Sequence, residues 1–110
     1  MNNEERIKYH RELLDAMHEL YVTKNSDYGN SVTETYIKYG LVAYLVRVED
    51  KINRARTLSQ REDQKVLDEK MADTLLDAAN YLILAAIDLE NDKRQKEFIN
   101  KIEESYKEEN

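Results

Sequence analysis

Residues 74–86 read TLLDAANYLILAA, an apolar run in which the only strongly polar side chains are Asp77 and Asn80. On a helix these two side chains share a face with Asp73, one turn earlier, because positions i, i+3 and i+4 stack. A buried carboxylate without a partner is very costly in free energy. The run therefore predicts a buried helix whose acids meet a cation, a metal ion or hydrogen-bond donors.

The composition indicates that the whole chain is helical. It has no proline and only 2 glycines in 110 residues, which leaves β-turns and hairpins few of the residues that form them. The length suits one domain with a modest core. We therefore expect a single all-α domain over residues 1–110, a four-to-five-helix bundle with its core over about residues 4–89 and a charged C-terminal helix over about residues 92–107.

The spacing of apolar residues locates the helices. The first helix begins after a cap at Asn2 or Asn3 and ends at about Lys24. The polar segment KNSDYGNSVTE, residues 24–34, predicts a connection that leads into a short helical turn ending at Tyr39. After Gly40, we expect a second long helix over about residues 41–58 and a third over about residues 62–89.

Apolar stripes on the second and third helices predict how these helices pack. Both stripes repeat at a spacing of three or four residues, which is typical of packed helices. They consist of Leu41, Leu45, Val48, Ile52 and Ala55 on the second helix, and of Leu67, Met71, Leu75, Ala78, Leu82, Ala85 and Leu89 on the third. Because the third helix is apolar on nearly all sides from Thr74 onward, we expect it to be the central, most buried element.

Charge and hydropathy argue against several classes of protein. The net charge of -6 is unlike that of a protein that binds duplex nucleic acid through clustered basic residues. The chain has no cysteine and no apolar run of membrane-spanning length, and its N-terminus lacks a signal-peptide core, so we expect a soluble, cytoplasmic protein without a membrane partner. With 36% charged residues the apolar stripes are narrow, which favours completion of the core by self-association as a dimer or tetramer.

The second and third helices supply the two halves of a candidate site. Carboxylates from Asp50, Asp73 and Asp77 between facing helices are the arrangement with which helical bundles hold hard divalent cations. Lys51 and Arg54 would supply donors for a phosphate, and the amide of Asn80 suits the edge of a base. The full predicted metal set is Glu49, Asp50, Glu69, Asp73 and Asp77, with Mg²⁺ or Mn²⁺ as the cofactor.

A structural alternative explains the same charged residues without a ligand. Asp50, Lys51, Arg54, Asp73 and Asp77 could form a buried ion-pair network that fixes the register of the helices. Glu49 and Glu69 could be ordinary solvated acids.

Three separated motifs resemble a known family. The run K-x-x-D-Y-G-x-S begins at Lys24, R-x-x-D-K-x-x-R begins at Arg47, and D-T-L-x-D-x-x-N-Y begins at Asp73. In this order they resemble the phage and bacterial nucleotide modification associated domain family, which in turn is similar to the MazG-type all-α nucleoside triphosphate pyrophosphohydrolases. The resemblance covers roughly residues 24–89.

This resemblance implies a helical, oligomeric, MazG-like protein in which acids on two facing helices hold Mg²⁺ against a triphosphate. To the residues named above it adds four substrate-binding candidates, Lys24, Asp27, Tyr28 and Arg47. The chain departs from the hydrolase pattern of E-E-x-x-E on one helix and E-x-x-D on the next, because Asn53 and Lys70 stand where acids are expected. That departure favours binding over hydrolysis.

Two functional hypotheses follow. In the first, the protein is a (deoxy)nucleoside triphosphate pyrophosphohydrolase in which catalytic Asp50, Asp73 and Asp77 hold the metal that activates water, while Lys51 and Arg54 clamp phosphates. Tyr28 and Asn80 would meet the base. In the second, the same pocket binds a nucleotide, or a signal derived from one, without turning it over, and the protein sequesters or regulates. A purely structural helical assembly would leave Asp77 in its apolar run unexplained.

Overall fold

A computed structural model describes the backbone of residues 1–60 and 64–109, and all side chains in these ranges except those of residues 25–30 and 64–67. The described residues form four helices and no strand: α1 (Asn3–Thr23), α2 (Asn25–Tyr39), α3 (Val42–Leu58) and α4 (Gln64–Glu109). The predicted all-α fold is confirmed. α3 packs chiefly along α4, α2 contacts α3, and α1 contacts both α2 and α4.

The N-terminus of α1 is capped as its sequence predicts. The side chain of Asn2 accepts a hydrogen bond of 2.9 Å from the backbone N–H of Glu5, which satisfies one of the donors that the first helical turn leaves unpaired. Glu4 and Glu5 place negative charge at the positive end of the helix dipole. Local sequence is therefore sufficient to fix where α1 begins.

The polar segment after α1 is helical, so the predicted connection over residues 24–34 is wrong. α2 begins at Asn25, and Lys24 alone separates it from α1. Val32 and Tyr36, one turn apart, are 2% and 8% exposed in the core, and burial of this pair compensates for the low helix propensity of the neighbouring Asn and Ser residues. The hydroxyl of Thr35 also donates to a backbone carbonyl within the helix.

Gly40 makes the tight turn between α2 and α3. Its φ of +79° lies in the left-handed region that favours glycine, and its N–H donates to the carbonyl of Tyr36 over 2.7 Å, ending α2. The turn is short enough to bring Tyr36 of α2 and Tyr44 of α3 together, with ring centroids 5.7 Å apart.

The third and C-terminal helices of the sequence prediction are one continuous helix, α4. A helix of 46 residues is about 69 Å long at about 1.5 Å per residue, which accounts for the longest dimension of the chain, 71 Å. The boundary expected between two helices at residues 89–92 is absent. At this point α4 contacts α2, because Tyr36 donates a hydrogen bond of 2.5 Å to the Asp92 carboxylate. None of the described helices is both long enough and apolar enough to cross a membrane.

The core is a small cluster rich in tyrosine. Its buried members are Val32, Tyr36, Tyr44, Leu84 and Ala85, and Tyr21 and Tyr81 pack against them. The hydroxyl of Tyr44, whose side chain is 1% exposed, donates to the carboxylate of Asp88. These two tyrosine-aspartate hydrogen bonds join residues 44 and 56 positions apart in sequence and fix α2 and α3 on α4.

The rotation of α3 differs from the prediction. The face turned toward α4 carries Tyr44, Arg47, Lys51, Ala55 and Leu58, whereas Leu41, Leu45 and Ile52 of the predicted stripe are 40–49% exposed. The tyrosine-aspartate contacts account for this, since they require the Tyr44 face of α3 to meet α4.

The prediction that the third helix is the central, most buried element holds for one side of α4 only. On that side Thr74, Asn80, Leu84 and Ala85 are 3–7% exposed. Leu75, Leu82 and Leu89 are 47–56% exposed, and burial on α4 is limited to the side that meets the other three helices. The large side chains of both apolar stripes, Leu41, Leu45 and Ile52 on α3 and Leu75, Leu82 and Leu89 on α4, are thus largely uncovered.

We predict that the tyrosine hydrogen bonds make the fold sensitive to alkali. The hydrogen bond to Asp92, together with burial, raises the pKa of Tyr36 to about 12, and burial with the hydrogen bond to Asp88 raises the pKa of Tyr44 as well. Because each pKa is higher in the folded than in the unfolded chain, where it is about 10, their contribution to stability is complete below about pH 10 and is lost as pH rises through the folded-state values.

Tyr44→Phe should therefore lower the free energy of unfolding at pH 7 by roughly 1–3 kcal/mol and flatten its further decline above about pH 10. Chemical denaturation across pH 7–12 measures both effects. Tyr39→Phe is the matched control, because Tyr39 is 60% exposed, and it should leave the curve within about 0.5 kcal/mol of wild type. Equal alkaline slopes for wild type and Tyr44→Phe would contradict the assignment.

Candidate functional site

A cleft beside α3 and α4 collects most of the basic residues that the sequence singled out. It has a volume of about 370 Å³ and is lined by Arg47, Asp50, Lys51 and Arg54 of α3 and by Tyr81 of α4. The four α3 residues recur at i, i+3, i+4 and i+7, which places them on one side of that helix. We call this the basic cleft, because three cationic side chains face one carboxylate there.

Arg47 is oriented by an aromatic ring. Its guanidinium carbon lies 5.8 Å from the centroid of the Tyr81 ring, within the range of a cation–π contact. Stacking of this kind holds the planar guanidinium while its N–H groups stay able to donate to a carboxylate or phosphate. Tyr81 was not predicted as a site residue, although it follows Asn80 directly in the third motif, and that position was the available signal.

Asp77 meets a cation, one of the three kinds of partner that its apolar surroundings predicted. Its Oδ2 lies 3.4 Å from the Nζ of Lys51, and the two side chains are 33% and 29% exposed. An ion pair with this much exposure contributes about 0–1 kcal/mol to stability. The pair therefore positions Lys51 between α3 and α4 and contributes little to the stability of the fold.

The predicted metal set does not converge within the described part of one chain. Asp50 borders the basic cleft, Asp77 pairs with Lys51, and Glu49, Glu69 and Asp73 are exposed. Over residues 1–24, 31–60 and 68–109, no three His, Asp or Glu side chains lie close enough together to hold a metal ion. The physical reason is the rotation of α3, which turns Arg47 and Lys51 rather than acids toward α4. Binding of Mg²⁺ or Mn²⁺ stays a prediction.

Asn80 does not line the basic cleft. It is 6% exposed and borders a second cavity of about 200 Å³ between α1 and α4. Lys24 is exposed at the junction of α1 and α2 and lines neither cavity. Asp27 and Tyr28 belong to residues 25–30, whose side chains are outside the described part of the structure.

Sequence reasoning did not foresee the second cavity. Its walls include Leu14, Met17 and Tyr21 of α1, which periodicity identifies only as an apolar face. Which face of α4 they meet depends on contacts between distant parts of the chain, so no local pattern indicated that Asn80 would face them.

Comparison with known proteins places the chain in a family. A family model described as nucleotide modification associated domain 1 matches residues 24–89, a range that includes α2, α3 and every α4 residue that borders either cavity. Comparisons with curated proteins and with solved structures gave no match. Because the match extends over more than half of the chain, this protein belongs to the nucleotide modification associated domain 1 family.

Proposed function

We propose that the protein binds a nucleoside triphosphate, with the phosphates in the basic cleft. The observation that carries this proposal is the convergence of Arg47, Lys51 and Arg54 on one cleft with a single bordering acid, in a chain whose net charge is -6. A cleft with a local excess of cations raises the local concentration of anionic ligands, even in a protein that is acidic overall. The family's association with nucleotides indicates which anion to expect.

The individual side chains suit phosphate oxygens. Arginine presents a planar fork that donates two parallel hydrogen bonds to a phosphate, and the Tyr81 ring holds the fork of Arg47 in place. Lys51 acts as a point charge. Its pairing with Asp77 at 3.4 Å is weak enough for a triphosphate, which carries more negative charge than one carboxylate, to compete for the ammonium group.

A second candidate is metal-dependent hydrolysis of the same ligand, as in the MazG-type pyrophosphohydrolases that the motifs resemble. It is favoured by Asp50, whose carboxylate borders the same cleft as the three cations. Among the described residues of one chain no three potential ligands come together, so a metal here would depend on one or two carboxylates and on the phosphates of the ligand itself. Binding without turnover is therefore the better supported proposal.

Arg54→Lys should weaken binding of a nucleoside triphosphate about tenfold, roughly 1.4 kcal/mol, and change binding of the free nucleoside much less. The variant keeps the charge and loses the fork. Calorimetric titration with both ligands measures the difference, and a pyrophosphate assay with Mg²⁺ or Mn²⁺ on the same samples reports turnover. Arg11→Lys is the matched control, because Arg11 is exposed on α1 and lies outside the basic cleft. Equal losses for nucleoside and triphosphate would reverse the assignment of the phosphate end.

Asp77→Asn separates the two candidate functions. If the cleft only binds, the variant should bind triphosphate without metal as tightly as wild type or more tightly, because Lys51 loses its competing carboxylate, and its stability should change by no more than about 1 kcal/mol. If the protein hydrolyses triphosphate through Asp77, metal-dependent pyrophosphate release should disappear.

The control for Asp77→Asn is Glu90→Gln. This substitution breaks an exposed ion pair outside the cleft, in which the Glu90 carboxylate lies 3.2 Å from the Nε of Arg94. It changes the net charge equally, so it isolates the local effect on Lys51. A melting temperature far below wild type for Asp77→Asn alone, with binding intact, would assign Asp77 to a structural ion pair.

We also propose that the protein self-associates through the exposed members of the apolar stripes on α3 and α4. Leu45 and Ile52 on α3 and Leu75 and Leu82 on α4 are 45–56% exposed, and a groove lined in part by Ile52, Ala55, Leu75 and Ala78 joins the two stripes into one apolar surface. Contiguous apolar surfaces of this kind are typical of protein interfaces. A second copy of the chain offers a matching surface by two-fold symmetry.

Light scattering at micromolar concentration should therefore give a mass of at least twice 13.0 kDa. Leu82→Glu should shift the protein toward monomer, because it places a charge in the apolar surface. Ile37→Glu, at a position on α2 that is 78% exposed, should leave the mass unchanged. A wild-type mass of 13.0 kDa would contradict the proposal.

A further inference from the structure

The cavity between α1 and α4 combines apolar walls with one buried amide. Among its lining residues are Leu14, Met17, His18 and Tyr21 of α1 and Asn80 and Leu84 of α4. Its volume of about 200 Å³ is below the range of about 300–1,000 Å³ that is usual for drug-sized ligands, so it suits a single ring system. We call it the α1–α4 cavity.

Asn80 is the unusual member of this wall. It is 6% exposed, and its Nδ2 has no hydrogen-bond partner among the described residues. A buried donor without an acceptor destabilises a fold, whereas a leucine of similar shape would suit the apolar surroundings. The unpaired amide therefore destabilises the chain by itself, and a ligand in the cavity that supplied an acceptor would remove that penalty.

We propose that the α1–α4 cavity binds the nucleobase of the same nucleotide whose phosphates occupy the basic cleft. Asn80 would donate from Nδ2 to an acceptor on the edge of the base, as asparagine amides do in reading bases, and the apolar walls with the Tyr21 ring would pack against its faces. This inference rests on the proposed nucleotide binding and adds to it where the base lies and which atom recognises it.

The two cavities are placed to share one ligand. Asn80 and Tyr81 are consecutive, so the α1–α4 cavity and the basic cleft border neighbouring sides of the same turn of α4. Leu84, one turn later, borders the α1–α4 cavity and belongs to the core cluster against which Tyr81 packs. A base at Asn80 and phosphates beside Tyr81 are thus compatible with one molecule joined through its sugar.

The test compares nucleoside triphosphates carrying the four common bases with inorganic tripolyphosphate, which has the phosphates and no base. Wild type should bind at least one of the nucleotides ten times or more tighter than tripolyphosphate. Asn80→Leu should lose that advantage, keep its affinity for tripolyphosphate, and melt at the same temperature or higher because the unpaired amide is gone. Calorimetric titration and thermal melting provide the two readouts.

Two further variants secure the interpretation. Asn80→Asp keeps the shape of the side chain but presents oxygens to the base acceptor, so it should also lose the advantage of the nucleotide over tripolyphosphate. Thr74→Val is the control, because it removes another buried polar group of α4 that does not border the cavity. The Thr74 hydroxyl already donates to the carbonyl of Lys70 over 2.7 Å. This variant should leave the ratio of nucleotide affinity to tripolyphosphate affinity unchanged.

The outcomes distinguish this inference from the function on which it rests. If wild type binds tripolyphosphate and all nucleotides equally, or if Asn80→Leu and Asn80→Asp both keep the tighter binding of nucleotides, the base site is wrong and the phosphate site stands. If wild type binds neither tripolyphosphate nor any nucleotide, both proposals are wrong. A melting temperature well below wild type for Asn80→Leu would show that the amide has a structural partner, which would also overturn the base site.

Discussion

The architecture depends on two tyrosine hydroxyls that donate hydrogen bonds to aspartates of α4. Tyr36 of α2 reaches Asp92, and Tyr44 of α3 reaches Asp88, one turn away on the same side of α4. Hydrogen bonds to charged acceptors are among the stronger ones in proteins, and both tyrosines are otherwise buried in the core. Together they set the rotation of two helices against the third.

That rotation places the charged residues. With the Tyr44 face of α3 against α4, Arg47 and Lys51 follow at one-turn intervals and come to lie beside Tyr81 and Asp77. The contacts that they make there are partly exposed and contribute little to stability. Arg47 and Lys51 are therefore oriented by these contacts while their N–H groups can still donate to a ligand. A basic cleft with oriented and still available donors is the arrangement that phosphate recognition requires.

The same rotation leaves leucine and isoleucine side chains of the apolar stripes on α3 and α4 exposed. A small helical chain with a thin tyrosine core has little other apolar burial, and such chains gain stability when a second copy covers the exposed surface. The proposed nucleotide binding and the proposed self-association would thus use neighbouring sides of the same helix pair. The first would use the charged side of α3 with Tyr81, and the second the groove that Ile52 and Leu75 line, with Lys51 bordering both.

The sequence by itself determined the helical class, the cap at Asn2, the turn at Gly40 and the grouping of Arg47, Asp50, Lys51 and Arg54, because each depends on residues within a turn or two of one another. It also carried the motifs of the family. Only the tertiary structure decided which face of α3 is packed, why residues 25–34 are helical, that α4 runs without a break past Asp92, and that Asn80 faces α1. The reason is that α3 and α4 each have more than one face able to pack, and contacts 44 and 56 positions apart in sequence choose between them. The local periodicity of apolar residues indicates that such faces exist, but it does not indicate which distant helix each face will contact.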